Sequence, residues 1–145
     1  MVNNTINVSA YQGQPPTNVQ GGRIYIQDGP LYLPRDVLAL LDLGDESTKL
    51  VTTKCRKDVQ VMGFDIADVR QLVDTALNTG KYLKSEWCLV GQTDSARSWA
   101  ACDGYRLLRD EWVEHAHKEM RIEYYVKFAI GKTGKLLLLV SCHLS

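Results

Sequence analysis

From Ile122 to Ile130 every second residue is apolar. Ile122, Tyr124, Val126, Phe128 and Ile130 point one way, and Glu123, Tyr125, Lys127 and Ala129 point the other. That period of two predicts a half-buried β-strand. The tetrad Gly131-Lys132-Thr133-Gly134 then reads as a tight turn. In residues 135–143 the run Leu136 to Val140 is apolar on both faces, as in a central strand covered on both sides. The second strand ends in Ser141-Cys142-His143.

Upstream the period changes to that of helices. Pro34 suits a first helical turn, Val37, Leu38, Leu40 and Leu41 supply an apolar stripe, and Gly44 ends it. Asp65 is a good N-cap for a second helix, with Ile66, Val69, Leu72, Val73, Ala76 and Leu77 at helical spacing and Gly80 closing it. Leu50-Val51-Thr52-Thr53 reads as a short strand. Trp87-Cys88-Leu89-Val90 and Ser98-Trp99-Ala100-Ala101-Cys102 read as two more, around the polar turn Gln92-Thr93-Asp94-Ser95. Asp103 is expected to cap a helix over residues 103–118, with Leu107, Leu108 and Trp112 on one face. Residues 1–22 are polar and carry Gly13, Pro15, Pro16, Gly21 and Gly22, so residues 1–30 read as an arm. A hairpin or turn at Asp28-Gly29-Pro30 ends the arm, between Arg23-Ile24-Tyr25-Ile26 and Leu31-Tyr32-Leu33. Residues 31–145 form the single domain. Its class is α+β, an antiparallel sheet with two or three helices packed on one face.

At 145 residues the chain can bury a sizeable core. No apolar run approaches the length of a membrane span, and the first residues lack the basic-then-apolar pattern of a secretion signal, so a cytoplasmic protein is expected. Cys55, Cys88, Cys102 and Cys142 form no Cys-x-x-Cys pair and read as buried thiols. A zinc site from Cys102, His115, His117 and Cys142 would match no standard spacing. With 17 basic and 17 acidic residues the net charge is zero, which argues against broad nucleic-acid affinity. A local basic cleft remains open. Lys118, Arg121, Lys127, Lys132 and Lys135 face only Glu119 and Glu123 in that stretch, so a polyanion would sit on the C-terminal half.

A core strand that sets Tyr-x-Lys beside Ser-x-His can carry acid–base chemistry on a phosphate. Tyr125 and Lys127 share a strand face, about 7 Å apart by the strand rise. They either bind and orient a phosphate or form a solvated face paired with Glu123. His143 is either an acid or base or an exposed terminal histidine. Arg106 with Tyr105 either forks onto a phosphate or is a plain surface charge.

Several segments, taken in order, resemble the MqsR-type messenger-RNA interferase toxins, small ribonucleases with a RelE-like fold. They are the helix from Pro34, Thr52-Thr53-Lys54, Met62-Gly63-Phe64-Asp65, Tyr82-Leu83-Lys84-Ser85, Asp103-Gly104-Tyr105-Arg106, Tyr125-Val126-Lys127-Phe128 and Leu139-Val140-Ser141. The resemblance implies a RelE-like fold and a metal-independent endoribonuclease needing no cofactor. Its substrate would be RNA, and a cognate antitoxin protein would neutralise it. The family's catalytic positions fall on Lys84, Cys102, Tyr125 and His143. Cys102 departs from the family's glutamine, and His143 from its lysine. Lys127 joins the catalytic set, and Arg106, Tyr105, Arg97 and Lys135 are expected to bind RNA. Arg97-Ser98-Trp99 aligns almost as well as the Lys84 segment, so either residue could supply the cation. The rival expectation is a non-catalytic protein-binding module on a similar fold, such as an antitoxin, an immunity protein or a phage-encoded inhibitor. An inactive relative of the toxins is another. Balanced charge and Cys102 suit these rivals.

Overall fold

The computed structural model describes residues 4–17 and 23–144. Two short segments of residues 1–30 join the sheet. Asn4–Asn7 (β1) pairs in parallel with residues 96–99, and Ile24–Ile26 (β2) pairs antiparallel with residues 85–87. Of the expected hairpin or turn at Asp28-Gly29-Pro30 a turn forms, but residues 31–33 are not a second strand. Instead the Leu31 and Tyr32 amides donate to the buried Asp103 carboxylate at 2.9 Å and 3.0 Å. At Gly29 an added Cβ would lie 2.0 Å from the Tyr82 hydroxyl and 2.2 Å from Ser85 Oγ, so only glycine lets this turn lie on them.

Pro34–Asp42 (α1) begins with proline in its first turn, as the sequence predicts. Thr48–Leu50 (β3) is shorter than the expected strand. Thr52 and Thr53 turn instead into Thr53–Met62 (α2), a helix the pattern did not announce. Its buried apolar positions are only Cys55 and Val59. Thr52 Oγ1 accepts from the Cys55 amide at 3.1 Å and caps the helix, while donating to the Val140 carbonyl at 2.9 Å. A β-branched pair that reads as strand thus serves as a cap and first turn. Ile66–Thr79 (α3) has the expected Asp65 N-cap, which Asp68 completes into a capping box.

The remaining strands are Lys81–Gln92 (β4), Ala96–Val113 (β5), Lys118–Ile130 (β6) and Leu137–Leu144 (β7). The seven-stranded sheet runs β2-β4-β5-β6-β7-β3, with β1 beside β5. It is mostly antiparallel; β3–β7 and β1–β5 are the parallel pairs. Together with three helices this makes an α+β fold. The expected helix over residues 103–118 is instead the second half of β5, a short 3-10 turn at Glu114–Ala116 and the start of β6. Asp103 does not cap a helix there, because its carboxylate is taken by Leu31, Tyr32 and Ser85 Oγ. β4 pairs with β5 as far as Arg106 and β6 pairs with it from Asp103 to Val113, and the β6 ladder outweighs the local helical spacing of Leu107, Leu108 and Trp112.

Helix α3 packs on β5 and α2 on β7. Their apolar faces meet Tyr105, Leu107, Tyr124, Val126, Phe128 and Cys142 in one core. Each fully buried large side chain there contributes about 1.5–3 kcal/mol. Residues directly opposed on neighbouring strands share a face. The helices therefore claim one face of the central strands, and the other carries polar side chains.

Candidate functional site

Two rows of side chains cross that second face. One runs Lys84, Gly104, Lys127, Ser141 over β4, β5, β6 and β7. The next runs Arg106, Tyr125, His143. Gly104 contributes no side chain between the two lysines, so a cleft of ≈ 340 Å³ opens over it. Arg23, Lys84, Tyr125, Lys127, Ser141 and His143 line it. The four residues expected to be catalytic, Lys84, Tyr125, Lys127 and His143, thus share one cleft.

Beneath this cluster lies Glu86, which is 4 % exposed. Its carboxylate meets Lys127 at 2.9 Å, Arg23 at 3.2 Å and Lys84 at 3.7 Å. Burial pushes the Glu86 carboxyl upward, but the Lys127 hydrogen bond and the charges of Lys127, Lys84 and Arg23 outweigh it and hold the group below its ordinary value. Three cations against one carboxylate leave a positive excess in a chain of zero net charge. An anion is the natural occupant.

The other row sets a phenol beside an imidazole. His143 Nδ1 bonds the Leu144 carbonyl at 2.8 Å. A carbonyl only accepts, so Nδ1 carries the proton and Nε2 of the neutral ring keeps a lone pair. The Tyr125 ring lies 5.7 Å from the imidazole, tilted by 47°. Its hydroxyl donates to Glu123 at 3.1 Å, and this bond, with some burial and the Glu123 charge, raises its pKa above the ordinary value. Tyr125 is therefore a neutral donor near pH 7, not a base. Arg106 shares this row but pairs with Glu123 at 3.2 Å, on a central strand rather than at a helix start.

Tyr105 borders the cleft, but its ring is buried on the helix face, stacked 5.6 Å from Phe128, and is not open to a base. Arg97 sits at the start of β5 beside β1, and Lys135 in the β6–β7 turn; neither lines the cleft. Of the two alternative cations, only Lys84 reaches it. Cys102 is fully buried and its thiol donates to the Ala100 carbonyl at 3.4 Å. Cys142 opposes Val126 on the helix face, while His115 and His117 lie at the β5–β6 tip, so the imagined zinc set does not assemble. Among the described residues, no group of three or more His, Cys, Asp or Glu side chains is placed to hold a metal ion. No helix among them is long and apolar enough to cross a membrane.

The sequence reading passed over Arg23 and Glu86. Glu86 had a signal, because Lys84-Ser85-Glu86 on a strand puts both charges on one face. Arg23 had none, since only the pairing of β2 with β4 carries it to the cleft. The chain matches no protein-family model, no curated protein and no solved structure.

Proposed function

We propose that the chain is a metal-independent endoribonuclease, a RelE-like toxin of the MqsR type that a cognate antitoxin neutralises. The observation that carries this reading is the convergence of Lys84, Lys127, Tyr125 and His143 on one open cleft. In the proposed reaction the Lys84 and Lys127 ammonium groups hold a phosphodiester and offset the charge that builds on it. His143 Nε2 takes the ribose 2′-hydroxyl proton as that oxygen attacks the adjacent phosphorus. The bond from phosphorus to the 5′-oxygen breaks, and Tyr125, turning its hydroxyl from Glu123, gives its proton to the leaving oxygen. The products are a 2′,3′-cyclic phosphate and a 5′-hydroxyl. The antitoxin enters through the resemblance to the toxin family.

Incubation of the purified protein with a long RNA in excess chelator, followed by mapping of the ends, tests the reading. Cyclic-phosphate and 5′-hydroxyl ends are expected. Intact RNA overturns it, as does cleavage that needs added divalent metal.

One observation favours a non-catalytic binding module instead. Glu86 already engages every cation at its end of the cleft. Cations that already share an internal counter-ion and keep a positive excess suit an acidic protein partner at the rim. Harmless expression with tight capture of a protein partner, and no RNA cleavage, would support that alternative.

A further inference from the structure

We infer that Tyr25 is a nucleobase-stacking platform, so that the N-terminal strand adds a second subsite to the cleft. The inference rests on the ribonuclease reading and names how that site would hold its substrate. Tyr25 opposes Glu86 across the β2–β4 ladder, which puts its side chain on the cleft face. Its ring is 55 % exposed. The Lys84 ammonium lies over that ring, 5.9 Å from its centroid. One lysine therefore borders both the phosphate cleft and the aromatic face. A depression of ≈ 310 Å³ lined by Tyr25, Leu83 and Lys84 adjoins the cleft, sharing the last two residues with it.

The other aromatic rings near the sheet are committed elsewhere. Tyr105 and Tyr124 are buried, Tyr125 leans on His143, and the Trp112 indole donates to Glu114 at the β5–β6 tip. Tyr25 is the open ring beside the cations, on the outermost strand of its edge. A cationic groove with an aromatic face beside it is the combination that holds single-stranded nucleic acid, phosphate on the charges and base on the ring. A strand running from His143 toward β2 lays a base further along on Tyr25. Stacking of this kind tolerates any base, so the subsite supplies affinity and register rather than sequence choice.

Fluorescence anisotropy with a short 2′-O-methyl RNA, which lacks the attacking hydroxyl, tests the inference. An abasic strand of the same length is the control. Tyr25→Leu should weaken the base-bearing strand about tenfold and leave the abasic strand unchanged. Tyr25→Phe should retain wild-type affinity for both. Equal binding of the base-bearing strand by Tyr25→Leu and wild type overturns the subsite, and so does equal weakening of both strands. Neither result touches the cleft. If the wild-type protein binds neither strand and leaves unmodified RNA intact, the ribonuclease reading itself fails.

Discussion

Lys127 reaches across β5 to donate to Glu86 on β4 at 2.9 Å, so the two strands that wall the cleft are tied beneath it. Lys127 is thereby held by a partner below while its cleft side stays open to an anion. A flexible lysine fixed in this way loses less freedom when a phosphate arrives.

Replacing Glu86 tests the tie. Glu86→Gln leaves Arg23, Lys84 and Lys127 without their shared counter-ion and should cost about 1–3 kcal/mol at neutral pH. The folded Glu86 carboxyl titrates below its ordinary value of 4.5. Its stabilisation is therefore complete above that unfolded value and is lost as pH falls through the lower folded one. Urea melts of the two proteins should converge in that acid range and separate above it. Parallel curves at all pH values would show that the pair contributes nothing through charge. Inorganic phosphate should bind the variant more tightly, because the internal carboxylate is gone.

Arg97 aligns almost as well as Lys84 in the sequence, and only Lys84 borders the cleft. Lys84→Ala should lower the rate of RNA cleavage about a hundredfold. Arg97→Ala should leave it near wild type. His143→Ala should match the Lys84 loss, measured on the same RNA in chelator. Equal losses at Lys84 and Arg97 would place the reaction outside this cleft.

Adjacent leucines on β5 report its strand geometry. Leu107 is 1 % exposed and Leu108 is 44 % exposed. Leu107→Ala should destabilise by about 2–4 kcal/mol, and Leu108→Ala by less than about 1 kcal/mol. Chemical denaturation of both variants gives the comparison. Similar losses would point to the helix that the local pattern suggests.

The four thiols should differ in reactivity. The neighbouring Cys102 side chain lowers the Cys88 thiol below its ordinary value, against the opposing effect of burial, with Lys127 adding to the lowering. Burial pushes Cys55 up to about 11 and Cys142 up to about 12, and raises Cys102 as well. Cys88 is also only partly buried, while the other three are buried. Brief iodoacetamide treatment of the folded protein should modify Cys88 first, read by peptide mass spectrometry. Cys102→Ala should slow that reaction, because it removes the neighbouring side chain that lowers the Cys88 thiol.

Local pattern was enough for α1, α3, the β6–β7 hairpin and the class of the fold. In each, short-range physics and burial agree: Pro34 at a first turn, the Asp65 cap with its apolar stripe, and strict alternation through Phe128. The same alternation put Tyr125 and Lys127 on one face, and Ser141 and His143 on one face. Local pattern was misleading where a distant partner decides. The Asp103 carboxylate is a helix cap by its neighbours and an anchor for Leu31 and Tyr32 by the fold. Thr52 is strand-like by propensity and a helix cap once β7 offers its Val140 carbonyl. The cleft itself exists only through register. Cross-strand pairing aligns Lys84, Gly104, Lys127 and Ser141 from four strands, and a shift of one residue would turn the charges toward the core. Residue spacing along a chain carries which side chains share a face of one element. Which faces meet is set by long-range burial and hydrogen bonding, and that is why Arg23 and Glu86 join the site only in three dimensions.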